Sequence, residues 1–279
     1  MRDVTPLLKI IDLGVQIQGV RLLSDISLDV NSGEVLALVG PNGSGKTTLL
    51  RAIISEQKLS SGSVSFAGQS IPDWNPRELA KRLAVLPQKS VLNFPFSGRE
   101  VVALGRTPHE AGQQVDQKII DEVLDYLDAG YLADRLYPRL SGGEQQRIQL
   151  ARVLAQIWAD DNSRSEQNAK ESADQPRLLL LDEPSSYFDL AHQQMLVELV
   201  RQLASRNITV LIVVHDINLA LACADRIAVM NCGRLVTCGK ADDVITPALI
   251  KKVFSVNAAF IRDPETDQKI ISLRGVSEV

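Results

Sequence analysis

An α/β fold built on a largely parallel sheet is what this sequence predicts, and three observations predict it. The continuous apolar runs VLALV at 35–39, LLLL at 178–181 and VLIVV at 210–214 have the length and composition of strands buried on both faces. Segments of helical periodicity, such as QQMLVELVRQLASR, alternate with them, which is the pattern of strand–helix–strand units. Between the first apolar run and the second lies a block from about residue 90 to 137 with few strand signals and several helical ones, read as a helical insertion.

In order along the chain, a short opening segment precedes LLSDISLDV, whose apolar and polar residues alternate as in an outer antiparallel strand. The buried strand VLALV then ends at Gly40, and TTLLRAIIS after Lys46 is helical to about Ser55. Within the insertion, QVDQKIIDEVLDYLDAGYLADRLY is the strongest helical stretch. A helix from Ser141 to Trp158 follows, opened by a capping box in which Glu144 stands three residues after Ser141. The strand RLLLLD, the helix QQMLVELVRQLASR, the strand ITVLIVV, the helix NLALACAD and a closing strand pair RIAVMNCGRLVTCG complete the α/β part. The expected boundaries are a core over 7–89 and 177–245, a helical subdomain over 90–158 and a small appendage over 246–279. The polar stretch 159–176 lacks apolar anchors and reads as a mobile surface loop.

Bulk properties narrow the function. With 279 residues, 45% of them hydrophobic, there is apolar material for a sizeable core. A net charge of −4 with both signs interspersed argues against a general nucleic-acid binder. No apolar run approaches the roughly 18 to 20 residues of a membrane span, and MRDVTPLLKI has no secretory h-region, so the chain is expected to stay in the cytoplasm. Cys223, Cys232 and Cys238 are odd in number and lack C-x2-C spacing, so free thiols are expected.

The chemistry concentrates in a few places. Gly40, Pro41, Asn42, Gly43, Ser44, Gly45, Lys46 and Thr47 match G-x4-G-K-[ST], a loop whose backbone N–H groups cradle phosphates. Its lysine reaches the β and γ phosphates, and its hydroxyl holds Mg²⁺. A plain glycine-rich turn is the bland alternative, and the placement between strand and helix favours the cradle. Asp182 and Glu183 end an apolar strand, where open parallel sheets bind ligands. Asp182 is placed to hold Mg²⁺, which leaves Glu183 to polarise an attacking water. His215 ends another such strand and can reach a γ phosphate. Gln88, after LAVLP, is either a surface amide or a group that accepts from water or completes the Mg²⁺ shell. At Ser141, Gly142 and Gly143 the first helical turn is stripped of bulk, which makes a second anion site.

Read together, GPNGSGKTT, LPQ, LSGGEQQR, LLLLDEP, Asp189 and VVHD, in that order, resemble the ATP-binding cassette ATPases over about residues 7–245. The resemblance implies a RecA-like P-loop NTPase core with an N-terminal antiparallel β subdomain and an inserted α-helical subdomain. It implies ATP and Mg²⁺ as ligands and a head-to-tail homodimer that sandwiches two nucleotides. Lys46, Thr47, Thr48, Gln88, Asp182, Glu183 and His215 would serve one nucleotide, with Thr47, Gln88 and Asp182 at the metal. Ser141, Gly142 and Gly143 would serve the partner's, and Asp189 would lie in the loop crossing the interface.

VLPQKSVLNFPFSGREVVALGRTPH, ARVLAQIW with its following loop, and FDLAHQ are similar to importers for iron chelates, vitamin B12 and haem, hemin importers in particular. Such an ATPase sits on the cytoplasmic face of the bacterial inner membrane and drives a permease dimer fed by a periplasmic binding protein. Ferric siderophore and vitamin B12 importers are the neighbouring alternatives. A non-transport cassette ATPase is a distant one, since the chain has neither a coiled-coil insertion nor a second cassette. Three departures stand out: Ile17 where an aromatic ring often stacks on adenine, SSYFD where TSALD-like sequences are usual, and Glu144 in place of a common glutamine.

Overall fold

The computed structural model describes residues 5–88, 92, 94–158, 175–186, 188–264 and 269–273. These fall into two compact units, one made of Met1–Asp73 with Gln193–Val279 and the other of Trp74–His192. Most of the loop expected at 159–176 lies outside the described residues.

The first unit opens with β1 (Leu8–Ile17), antiparallel to β2 (Val20–Val30). The alternating burial of β2 is the alternation seen in its sequence. β3 (Val35–Val39) is buried at every residue and feeds α1 (Lys46–Ile53) through the glycine loop. β4 (Ser61–Phe66) pairs with β1, and β5 (Gln69–Ser70) with β4, giving a four-stranded sheet in the order β2-β1-β4-β5.

The second unit begins with α2 (Pro76–Ala80), capped by Asn75, whose side chain accepts from the Arg77 and Glu78 amides. β6 (Leu83–Leu86) runs parallel to β7 (Arg177–Asp182). Between them lie α3 (Gly98–Ala103), α4 (Gln113–Tyr126) and α5 (Gly142–Ile157). Within the helical stretch expected over 114–137 the helix stops at Tyr126, because Asp128 takes a left-handed φ of 48° and short 3-10 turns follow.

α5 is the unit's central element, with ten buried residues, among them the polar Gln146, Arg147 and Gln149. Gln149 donates to the Tyr137 hydroxyl at 3.0 Å, Gln156 to the Ala80 and Leu83 carbonyls at 2.8 and 3.1 Å, and Arg106 reaches the Ala155 carbonyl at 2.7 Å while pairing with Asp116 at 2.8 Å. Burial pushes the Tyr137 phenol above its ordinary range, which keeps it a hydroxyl. Chain entry and exit are thereby fixed around one helix.

The chain returns to the first unit within α6 (Leu190–Ser205). β8 (Ile208–Val213) pairs parallel with β3, α7 (Ile217–Cys223) follows, and β9 (Arg226–Asn231) pairs parallel with the other side of β3. β10 (Arg234–Lys240) closes antiparallel on β9, so this unit's strands run β10-β9-β3-β8. Two short helices, α8 (Ala241–Val244) and α9 (Pro247–Phe254), lead to a hairpin of β11 (Ala258–Arg262) and β12 (Lys269–Leu273). Asn218 of α7 fastens that hairpin by accepting from the Ile271 amide at 2.7 Å and donating to its carbonyl at 3.2 Å. Cys223, Cys232 and Cys238 are free.

Candidate functional site

In the first unit the phosphate loop is held from behind. A Cβ at Gly40 would lie 2.3 Å from the Met230 carbonyl oxygen, so the loop runs against β9 with no room for a side chain. Gly45, at φ 101°, starts α1 in a left-handed conformation that an L residue resists. The turn joining β9 and β10 clamps the loop, with the Gly233 amide donating to the Ser44 carbonyl at 3.0 Å and its own carbonyl accepting from Ser24 of β2 at 2.9 Å. Sequence reading missed this clamp, although the turn-forming Asn231-Cys232-Gly233 between two strands is a signal for it.

Lys46 is buried, its ammonium donating to the Gly40 and Pro41 carbonyls at 2.9 and 3.1 Å, so the cation lies inside the curve of the loop. The Ser44 hydroxyl is buried without a hydrogen-bond partner. An orphaned hydroxyl, a loop cation and exposed backbone at Asn42 and Gly43 suit a polyphosphate, whose oxygens would satisfy that hydroxyl. Thr47 and Thr48 are half-buried at the first turn of α1. His215 leaves the carboxyl end of β8, and since Leu38 is in register with Val213, it emerges at the same end of the sheet as the loop that leaves β3.

In the second unit the parallel register does the positioning. Leu86 of β6 faces Leu181 of β7, so Gln88 and Glu183, each two residues further on, arrive side by side. The Gln88 amide donates to the Glu183 carboxylate at 2.5 Å. Asp182 and Glu183 are both buried, and Glu183 takes a left-handed φ of 52°, which turns it away from the strand direction. Its carbonyl accepts from the Ser186 amide and hydroxyl at 3.3 and 3.0 Å, which fixes that turn.

The Ser141 cap has both halves of its box, with Glu144 accepting from the Ser141 amide at 2.7 Å and Ser141 from the Glu144 amide at 3.3 Å. Hydrogen bonding to the carboxylate, from the Ser141 amide first and the Ser141 side chain next, holds the Glu144 carboxyl below its ordinary range. Ser141 and Gly142 are exposed and Gly143 is half-exposed, so the start of α5 faces outward. Asp189 is exposed, and its carboxylate, accepting from the His192 amide and ring at 2.9 and 2.6 Å, sits below its ordinary range. Arg147 and His192, given no role by the sequence reading although they stand inside LSGGEQQR and FDLAHQ, lie beside this loop.

Residues 23–157 match the family model described as ABC transporter. The chain is 43% identical over 275 residues, 98% of its own length and 96% of the relative's, to hemin import ATP-binding protein HmuV of Gloeobacter violaceus. It is also 43% identical to the protein of that name from Plesiomonas shigelloides, over 90% of this chain and 96% of the relative. Among solved structures, that of a metal-chelate type ABC transporter in an inward-facing conformation superposes with a TM-score of 0.76 at 25% identity, covering 97% of each chain. With motifs, fold and relatives in accord, the chain belongs to the ATP-binding subunits of ABC transporters, the ATPases that couple nucleotide hydrolysis to transport.

Proposed function

We propose that this chain powers the import of hemin through a membrane permease, binding and hydrolysing ATP as a homodimer. The observation that carries the choice of hemin is the 43% identity, end to end, to an ATP-binding protein of hemin import. Among the described residues no helix is long and apolar enough to cross a membrane. That fits a peripheral subunit on the cytoplasmic face of the inner membrane, joined to a permease dimer and only indirectly to a periplasmic binding protein. No role with nucleic acid is proposed.

In this reading Gly40, Pro41, Asn42, Gly43, Ser44, Gly45, Lys46, Thr47 and Thr48 hold the phosphates, and the orphaned Ser44 hydroxyl supports it. Thr47, Asp182 and Gln88 would hold Mg²⁺, which would supply charge neutralisation to the bound nucleotide. Glu183 accepts a proton from the attacking water, oriented by Gln88, which already bonds its carboxylate. His215 contacts the γ phosphate. Ile17, 39% exposed at the end of β1, offers the adenine an apolar contact where an aromatic ring is missing. Ser141, Gly142 and Gly143 bind the nucleotide of the partner subunit, and Asp189 lies at the interface between the two.

Reconstitution with the permease in vesicles tests the assignment. ATP-dependent uptake of hemin is expected, with none of a ferric siderophore or of vitamin B12. Uptake of either of those in preference to hemin would move the chain to a neighbouring importer, a result the metal-chelate structural relative makes worth measuring.

A further inference from the structure

We propose that His192 is a positioning residue that transmits the orientation of the signature helix α5 to Asp189, through a relay of Arg147, His192 and Asp189. The proposal rests on the placement of Asp189 at the subunit interface made above. Arg147 lies six residues past Ser141 on α5 and is buried. One of its guanidinium nitrogens donates to the Asp128 carbonyl at 3.0 Å and to the Tyr131 hydroxyl at 3.4 Å, and the ring of Tyr131 lies 6.0 Å beneath the guanidinium carbon. The other bonds the His192 ring at Nε2.

The direction of each proton follows from the donors. A guanidinium has no acceptor, so Nε2 accepts, and the ring carries its proton on Nδ1. Nδ1 then donates to the Asp189 carboxylate at 2.6 Å, and the His192 backbone amide donates to the same oxygen at 2.9 Å. Phe188, 8% exposed, packs on the imidazole with ring centroids 5.7 Å apart. The unusual phenylalanine of SSYFD is thereby explained as a wall that limits how His192 turns. At the far end Asp189 is exposed, and beside it Leu190 is 84% exposed, so one end of the relay is buried against α5 and the other faces outward. A rotation of α5 would move Arg147, Nε2 and the carboxylate in that order.

The imidazole can be replaced one half at a time. In His192→Asn the amide nitrogen falls near Nδ1 and still donates to Asp189, whereas His192→Gln reaches the Arg147 end only. With the full-length chain we expect His192→Ala and His192→Gln to lower kcat for ATP by about ten- to a hundredfold, the scale of a misplaced group near chemistry, and His192→Asn to retain most of it. ATP affinity of the single chain should not move. Asp189→Ala combined with His192→Ala should be no slower than Asp189→Ala alone. Turnover of His192→Ala at the starting level, equal Asn and Gln variants, or a multiplicative double variant would each overturn the relay. Slow Asp189→Ala beside unimpaired His192→Ala removes the relay alone; unimpaired Asp189→Ala removes the interface role of Asp189 and the relay with it.

Discussion

Glu183 combines three properties that rarely coincide in a side chain of no function: burial, a left-handed backbone and a carboxylate already engaged by the amide of Gln88. Burial excludes competing water, the backbone turn aims the carboxylate off the strand axis, and the Gln88 amide holds one of its oxygens. Glu183→Gln keeps shape and removes the base. Its turnover is expected to fall by on the order of 10² to 10⁴-fold, with ATP binding by the single chain intact. Phosphate release measured beside nucleotide binding checks this, and undiminished turnover would end the assignment. Lys46→Ala should do the opposite and lose tight ATP binding, since Lys46 is the cation inside the phosphate loop.

For the elements, the signature helix shows how a cap and a ligand site coexist. Glu144 and the Ser141 hydroxyl satisfy the first-turn amides reciprocally, and the rest of the turn faces outward. Ser141→Ala should cost about 1 kcal/mol of stability, read by denaturant melting. Because the Glu144 carboxyl is held below its unfolded value, its contribution is present above the unfolded pKa and is lost as pH falls through the folded one. Glu144→Gln should therefore keep the cap while flattening that acid-side loss. Elsewhere, burial pushes the Cys223 thiol up to about 12, while Cys232 is exposed in the turn that clamps the phosphate loop. Mass spectrometry after brief iodoacetamide treatment should find Cys232 modified and Cys223 untouched until the chain unfolds.

The elements also show what a sequence can display. β2 and β3 were legible because one alternates cleanly and the other is apolar throughout. β1 was not, because its pairing slips between Ile10 and Leu13 and again before Val15, with Asp12 in a left-handed conformation that breaks period two. β4 begins Ser-Gly-Ser, with almost no apolar signal, and β11 and β12, AAFIR and KIISL, are apolar but too short and without the alternation that separates strand from helix. The candidate site was legible wherever chemistry dictates a motif. Contacts that only support a motif, such as Gly233 on Ser44 or Arg147 on His192, depend on tertiary neighbours, so the sequence shows the turn or the motif residue without its partner.

At the scale of the whole molecule, the proposed function gives two helix starts among the described residues an anion to bind: α1, backed by a loop with a lysine and an orphaned hydroxyl, and α5, capped by Ser141 and Glu144. A single chain with one nucleotide has use for the first only. In the proposed head-to-tail homodimer the second acquires a ligand, each α5 completing the site of the other subunit. Sedimentation of Glu183→Gln with Mg²⁺ and ATP tests this most directly. We predict a nucleotide-dependent dimer that disappears when Ser141→Arg is added, with ATP affinity of the single chain unchanged; a dimer that persists, or loss of nucleotide from the single chain, would contradict the account.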